Sequence, residues 1–206
     1  MRRCLHLTVH PANPQPRPLA QAVAVLRSGG VVALPTASGY QLCGRLDDKA
    51  ATTRMRRLAG AGDRDAAVLL CRDLTQAAHH LRIDDREFRA IRAGVPGAAA
   101  HLLACTKRMP RRLADAGRGH AQLYFPGHGA TLALLQRLDE PLLLAPATWG
   151  PGPDNVDGLP LPWRQAIDAV LDAGPVAARD VFAPQPMDSG EAPAHTGTPH
   201  AEPHWA

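Results

Sequence analysis

Aromatic side chains are scarce in this 206-residue sequence, where they make up 4% of the residues. Proteins that bind single-stranded nucleic acid usually stack bases on aromatic rings, so stacking of that kind is not expected here. Lysine is also rare, because Lys49 and Lys107 are the only two beside 21 arginines. The basic character of the chain therefore comes almost entirely from guanidinium groups.

Paired cysteines and long apolar runs are missing as well. The four cysteines form no C-x-x-C pair, which predicts reduced thiols in a core rather than a zinc site or a disulfide framework. No stretch approaches the ~20 apolar residues that a membrane-spanning helix needs. Arg2 and Arg3 resemble the start of a signal peptide, but residues 5–9 are too short and too interrupted to complete one. We therefore expect a cytoplasmic protein with no membrane partner.

Charge divides the chain into two parts. Residues 183–206 contain three acids and no Lys or Arg, which leaves 23 basic and 16 acidic side chains, a net charge of +7, in residues 1–182. Such a body favours phosphate-bearing partners, although a soluble surface with a surplus of arginine explains the number equally well. Residues 183–206 are rich in Pro and His and are predicted to be a disordered tail. The tail histidines match no metal-site spacing, so no metal is expected.

Apolar periodicity predicts alternating strands and helices within residues 1–182. The expected strands are residues 5–9, 31–34, 68–71, 101–105, 122–125, 142–144 and 176–182. The expected helices begin near residues 18, 48, 73, 85, 130 and 162, and the last of them ends at Gly174. Repeated alternation of this kind is typical of an α/β domain.

Several motifs follow one another in a characteristic order. The stretch 26–42, LRSGGVVALPTASGYQL, contains a Gly-Gly, a Pro-Thr, and a Tyr four residues after the Thr. Further along the chain come LLCRDL at 69–74, TKRMPRRL at 106–113 and EPLLL at 140–144. This collinear set resembles the YrdC/YciO family over roughly residues 5–182, and it is closer to the YciO branch than to the synthase branch.

The resemblance implies a fold and a chemistry. The implied fold is a twisted, mixed α/β sheet with helices packed around it and a basic cavity, first discussed in terms of binding double-stranded RNA. Members of the synthase branch make threonylcarbamoyl-AMP from threonine, bicarbonate and ATP, for the tRNA modification threonylcarbamoyladenosine. ATP with Mg²⁺ is the cofactor set that an active member would use, and no DNA sequence readout is expected.

Three parts of the family's nucleotide site are altered in this chain. The family's Lys-x-Arg and the Lys that follows it are replaced by Ala59, Ala61 and Asp65. Its Ser-x-Asn is replaced by Pro146 and Thr148, and its arginine before a Val-Pro turn is replaced by Tyr124. Adenylation needs cations around a triphosphate that expels pyrophosphate, because negative charge on the phosphate oxygens must be neutralised. The sequence therefore predicts a nucleotide- or RNA-binding protein with weak or no synthase activity. The alternative is an active threonylcarbamoyl-AMP synthase-like ligase.

Two groups of residues are candidates for the pocket. Thr36, Ser38 and Tyr40 match the family's substrate loop and are predicted to hold a small ligand; alternatively, their hydroxyls satisfy the local backbone. Candidates for replacing the missing phosphate ligands are Arg56, Arg57, Arg64 and Thr148.

A basic stretch between two predicted strands is the candidate RNA contact. Its cations are Lys107, Arg108, Arg111, Arg112 and Arg118. Without interleaved aromatic residues, such a segment attracts the phosphate backbone and reads no bases. The alternative interpretation is a solvated connection with no ligand.

Overall fold

The computed structural model describes residues 4–60, 67–94, 100–114, 119–145 and 152–177. Its strands are β1 (Leu5–Thr8), β2 (Val32–Thr36), β3 (Gly39–Arg45), β4 (Val68–Leu70), β5 (His101–Ala104), β6 (His120–Tyr124), β7 (Leu142–Leu144) and β8 (Ala169–Asp172). Its α-helices are α1 (Pro16–Arg27), α2 (Lys49–Leu58), α3 (Leu74–Ala78), α4 (Asp85–Gly94), α5 (Gly129–Leu138) and α6 (Leu161–Ala166). No helix within these ranges is long and apolar enough to cross a membrane.

All eight strands form one mixed sheet in the order β1-β8-β2-β3-β7-β4-β6-β5. The pairs β1–β8, β2–β8 and β4–β6 are parallel, and the remaining pairs are antiparallel. This arrangement confirms the predicted mixed α/β fold. The strands carry a continuous apolar layer on each face, and helices cover both layers.

The helices divide between the two faces of the sheet. Helices α1 and α5 cover one face, where Leu26 of α1 and Leu134 of α5 are fully buried in the same cluster. Helix α2 covers the opposite face, together with Ile91 of α4 and Trp163 of α6. The two faces therefore present different surfaces to solvent, and α2 is the most basic of the helices on its side.

The predicted helix starts are confirmed by their caps. The carboxylates of Asp48 and Asp73 accept hydrogen bonds from the backbone N–H three residues later, at 2.8 and 2.7 Å. Asp84 accepts a bond from the N–H of Glu87, whose own carboxylate accepts one from the N–H of Asp84, which is a capping box.

The helix predicted from residue 162 to Gly174 was wrong in its second half. Helix α6 ends at Ala166, and residues 169–172 form β8 between β1 and β2. A short apolar run fits helical and strand periodicity equally well, and pairing with two neighbouring strands decides between them. The strand expected at 176–182 is not seen at Val176 and Ala177, and its other residues lie outside the described ranges.

Strand β2 continues through Pro35, where the sequence predicted an end. Strand β8 pairs only with Val32 and Ala33, so one edge of β2 is free of strand neighbours beyond that point. The carbonyl of Pro35 accepts a hydrogen bond from the hydroxyl of Thr131 in α5 at 2.5 Å, on the side away from β3. The missing N–H of the proline is therefore not needed by the sheet. Strand β3, which follows directly, was not predicted.

Candidate functional site

The tight turn between β2 and β3, residues 36–40, contains the three residues predicted to form the pocket. Thr36 and Ser38 are fully buried. The hydroxyl of Thr36 donates to the carbonyl of Gly39 at 2.7 Å and accepts from the N–H of Ser38 at 3.1 Å. These contacts are the ones expected if the hydroxyls satisfy the local backbone, which was the alternative to a ligand pocket. The turn is therefore held together by its own polar groups.

Tyr40 is directed into the protein core. Its hydroxyl donates to the carbonyl of Gly174 at 2.8 Å and accepts from the N–H of Ala173 at 3.0 Å. Burial raises the pKa of this phenol to about 12, so it is a neutral donor at physiological pH. The side chain thus ties the start of β3 to the chain that follows β8.

The returning chain at residues 152–153 closes over the turn. The N–H of Gly152 donates to the carbonyl of Ser38 at 2.6 Å, and the N–H of Tyr40 donates to the carbonyl of Pro153 at 2.8 Å. Gly39 has a φ of +84°, and a Cβ at this position would collide with the carbonyl of Gly152. A glycine is therefore required both by the backbone conformation and by the close approach of the second chain segment.

Tyr124, which stands where the family has an arginine, lies against the same turn. Its buried hydroxyl lies close to the Thr36 side chain and to the backbone of Ala37 and Ser38. Burial raises the pKa of this phenol, and the neighbouring polar groups of the turn oppose that rise. Two motif positions that are far apart in the sequence are thus brought together, and the second one supplies a neutral group in place of a cation.

Of the candidate phosphate ligands, only those on α2 are within the described residues. Arg56 is 9% exposed and takes part in an interaction inside the protein, whereas Arg57 is exposed. Arg57 lines an open groove of about 580 Å³ together with Lys49, Ala50, Thr53 and Arg54. The guanidinium of Arg54 donates to the carboxylate of Asp168 and is neutralised by it.

The remaining altered positions are only partly placed. Ala59 is buried in the core beneath α2. Arg64 and Thr148 lie outside the described residues, as do Ala61, Asp65 and Pro146. The structure therefore brings together the turn and Tyr124, and it leaves the two nucleotide loops of the family without described geometry.

The basic stretch forms a packed connection at residues 106–113, which we name the 106–113 segment. Met109 and Leu113 anchor it in the core, and Arg112 donates to the carbonyl of Leu46 at 2.9 Å. Arg108 donates to Nδ1 of His79 at 3.2 Å. Lys107 and Arg111 are exposed. Arg118 lies outside the described residues.

Sequence reasoning missed two acids that organise the structure near these elements. Asp168 accepts from the N–H of Val31 as well as from Arg54. Asp172 accepts from His6 at 2.6 Å and from the N–H of Gly174 at 2.9 Å. Both fall within the helix that was predicted to end at Gly174, and the pattern offered no signal for them. Among the described residues, no group of three or more His, Cys, Asp or Glu side chains could hold a metal ion.

Comparison with known proteins agrees with this architecture. The Sua5/YciO/YrdC family model, described as "Telomere recombination", matches residues 24–180. The uncharacterized protein YciO of Escherichia coli is 38% identical over 135 residues, which span 66% of this chain and 66% of that protein. The crystal structure of E. coli YciO superposes with a TM-score of 0.79 and 31% identity, covering 84% of this chain and 85% of that one.

Two further likenesses are more distant. A putative threonylcarbamoyl-AMP synthase of Mycobacterium leprae is 29% identical over 164 residues, or 78% of this chain and 74% of that protein. The structure of P. abyssi Sua5 complexed with L-threonine has a TM-score of 0.75 at 19% identity and covers 84% of this chain and 51% of that one. At that identity the second likeness shows the fold alone.

Proposed function

The chain belongs to the Sua5/YciO/YrdC family, and from this premise we propose that it binds a phosphate-bearing ligand, a nucleotide or double-stranded RNA, and forms threonylcarbamoyl-AMP poorly or not at all. The observation that carries the proposal is the contact of Tyr124 with the 36–40 turn. A neutral phenol occupies the position of the family's cation, and its buried hydroxyl lies against the turn that matches the family's substrate loop.

The chemistry explains why this replacement matters. Adenylate formation breaks the bond between the α- and β-phosphates of ATP, and the oxygens that gain charge must be neutralised by positioned cations. Because burial raises the pKa of Tyr124, its hydroxyl stays neutral across the physiological range. It contributes no positive charge to a substrate carboxylate or phosphate.

Binding without efficient catalysis is supported by the surface cations. Lys107 and Arg111 are exposed beside a segment whose backbone is fixed by buried Met109 and Leu113. A rigid basic connection attracts polyanions through counterion release and needs no base-specific contact. This supports RNA or nucleotide as the partner class within a body of net charge +7.

The second candidate is an active ligase that uses ATP, threonine and bicarbonate. The likeness to the putative synthase of M. leprae over 78% of this chain favours it. In that case Arg57, Arg56 or Arg64 would supply the missing phosphate ligands, and a bound Mg²⁺ would add positive charge to neutralise the phosphates.

Two measurements separate these candidates. Pyrophosphate release from ATP, threonine and bicarbonate should be far slower than in a family member with the complete Lys-x-Arg and Ser-x-Asn motifs, assayed side by side. Isothermal titration with ATP and, separately, with a short RNA duplex should show binding of at least one. Turnover comparable to that of the complete enzyme would establish the ligase instead, and absence of both binding signals would refute the proposal.

A further inference from the structure

We infer that residues 152–153, which we name the strap, are an autoinhibitory cover over the 36–40 turn and must detach before a ligand can reach the turn. The inference rests on the proposed function, because it concerns access to the turn that matches the family's substrate loop. It gives a regulatory role to a segment that the sequence did not single out.

The polar groups of the turn are already occupied by protein atoms. Thr36 and Ser38 are fully buried, and the hydroxyl of Thr36 is hydrogen-bonded to the backbone of Ser38 and Gly39. The carbonyl of Ser38 accepts from the N–H of Gly152, and the side chain of Gln41 donates to the same carbonyl at 3.2 Å. While the strap is in place, the hydroxyls of the turn are therefore closed to a ligand.

The strap presents to the turn the kind of groups that a ligand would bring. The N–H of Gly152 donates to the carbonyl of Ser38 at 2.6 Å, and the carbonyl of Pro153 accepts from the N–H of Tyr40 at 2.8 Å. One donor and one acceptor of the strap thus engage one acceptor and one donor of the turn. A ligand that displaces the strap has to replace both, and the ammonium and carboxylate groups of an amino acid supply that combination.

The strap is a surface layer that is anchored on one side. Gly152 and Pro153 are half-buried, whereas the hydroxyl-bearing residues beneath them are fully buried. Directly after the strap, the carbonyl of Asp154 accepts from the N–H of Val176 at 2.7 Å, and the side chain of Asn155 caps a short 3-10 turn. Detachment breaks the two hydrogen bonds to the turn and leaves this anchor intact, so it is a local opening and not an unfolding of the domain.

Two facing glycines make the close approach of strap and turn possible. A Cβ at Gly39 would collide with the carbonyl of Gly152, and a Cβ at Gly152 would collide with the carbonyl of Tyr40. Gly39 also has a positive φ, whereas the φ of Gly152 lies outside that region. Gly152→Ala should therefore act through the collision alone. Because the strap is half-buried and the turn is packed inside the protein, the strap should be the part that moves.

The first test measures ligand affinity in variants of the full chain. The probe is L-threonine, the amino-acid substrate of the second candidate function, and binding is followed by isothermal titration. Gly152→Ala should bind it about tenfold more tightly than the wild type, because a protein of which only the open fraction is competent loses affinity in proportion to that fraction.

Gly44→Ala is the matched control for an added methyl group. Gly44 lies in β3, and a Cβ there would meet the Cβ of Ala51 at an ordinary contact distance of 3.6 Å. This variant should bind L-threonine as the wild type does. Urea denaturation checks that both variants are folded.

Amide hydrogen exchange tests the strap in the wild type, without any substitution. If the ligand takes the place of the strap, saturating L-threonine should leave the N–H of Gly152 without its acceptor, and this amide should exchange faster. The N–H of Tyr40 should stay protected, because a carboxylate replaces the carbonyl of Pro153. A ligand that bound elsewhere would leave exchange at Gly152 unchanged or make it slower.

The other outcomes overturn the inference. Equal affinity of the wild type and Gly152→Ala for L-threonine, or binding by neither, would show that the strap guards no ligand site. Unchanged or slower exchange at Gly152 in the presence of L-threonine would lead to the same conclusion even if the variant did not fold. The proposed function is judged separately by titration with ATP and with an RNA duplex. If either probe binds, the proposed function stands without the strap; if neither binds, it fails whatever L-threonine shows.

Discussion

The hydroxyl of Tyr40 donates a hydrogen bond of 2.8 Å to the carbonyl oxygen of Gly174, which lies 134 positions further along the chain. The hydroxyl oxygen of Tyr40 also accepts from the N–H of Ala173 at 3.0 Å. Strand β2 separates β3 from β8 in the sheet, so this phenol connects two strands that are not neighbours. A residue predicted to line a ligand pocket therefore also has a structural task.

Replacing Tyr40 by phenylalanine should destabilise the protein by about 1–3 kcal/mol, because the buried N–H of Ala173 and the half-buried carbonyl of Gly174 lose their partner. The free energy of unfolding, measured with urea, should fall through a lower midpoint at constant slope. Ser28→Ala is the control, since it removes an exposed hydroxyl at the end of α1 and should change stability by less than about 0.5 kcal/mol. Equal stability of the Tyr40→Phe variant and the wild type would contradict the structural role.

Alkaline pH should destabilise the fold through buried groups that resist ionisation. Burial raises the pKa values of Tyr40, Tyr124, Cys43 and Cys71, with the carboxylate of Asp73 adding to the effect at Cys71. The unfolded chain loses these protons from about pH 8.5 for the thiols and about pH 10 for the phenols, whereas the folded chain retains them. Stability is therefore complete below these values and falls as pH rises.

The Cys71→Ala variant isolates the thiol contribution. Between about pH 8.5 and 10 its unfolding free energy should fall less steeply than that of the wild type, by up to about 1.4 kcal/mol per pH unit. Its stability at pH 7 is the internal reference, because the loss of packing is independent of pH. Parallel curves for the two proteins would show that Cys71 ionises as easily in the folded state as in the unfolded one.

Acid pH should weaken the contact between β1 and β8. Burial acts to raise the pKa of Asp172, but hydrogen bonds from the N–H of Gly174, from His6 and from Tyr40 outweigh it, so the pKa is lowered. A carboxylate of lowered pKa contributes stability above its unfolded value of about 3.9, and this stability is lost as pH falls through the folded value. Asp172→Asn should therefore remove part of the acid-induced loss below about pH 4. His6→Gln, which removes one of the three contacts, should have a smaller effect. If the unfolding free energy of Asp172→Asn falls below about pH 4 as steeply as that of the wild type, Asp172 is not the source of the acid-induced loss.

The sequence predicted the helices whose first turn is capped by an aspartate side chain. Asp48 and Asp73 precede apolar helical stripes, and the same carboxylates cap α2 and α3. Strand β8 was missed because Val170 and Leu171 fit a helical stripe after Ile167, and only pairing with β1 and β2 distinguishes the two states. Short buried strands are decided by tertiary partners, which a single sequence does not reveal.

For the site, the sequence identified the correct positions but not their partners. Residues 36–40 were recognised by their motif, and Tyr124 by its departure from one. Their mutual proximity joins β2 and β6, which three other strands separate in the sheet, and a single sequence does not reveal that arrangement. In the groove along α2, Arg57 was predicted as a phosphate ligand, whereas Lys49 was not.

The tail should be dispensable for folding. Residues 183–206 lie outside the described structure, and their composition offers few apolar anchors. A chain cut after Ala183 should melt within about 4 °C of the full chain, which corresponds to about 1 kcal/mol for a domain of this size. A cut after Ala173 is the contrasting variant, since it removes buried Val176 and the Gly174 carbonyl that Tyr40 contacts. A larger drop from the first cut would mean that the tail docks on the domain.

Gly39 should be among the least replaceable residues of the 36–40 turn. Its φ is +84°, and a Cβ would meet the backbone carbonyl of Gly152, which has no flexible end that could move aside. Gly119 is a matched control, because its φ is +70° and a Cβ there would meet nothing within 4 Å. Gly119→Ala thus measures the cost of the left-handed conformation alone, about 1–2 kcal/mol.

Gly39→Ala should cost more than Gly119→Ala by at least about 1 kcal/mol, because it adds a collision in a packed interior to the same backbone strain. Since the N–H of Gly152 donates to Ser38 and the carbonyl of Pro153 accepts from Tyr40, the alanine should also separate residues 152–153 from the turn. Amide hydrogen exchange would report this as faster exchange at Tyr40 and Gly152 in Gly39→Ala alone. Equal unfolding free energies for the two variants would mean that the returning chain yields freely and does not close the turn.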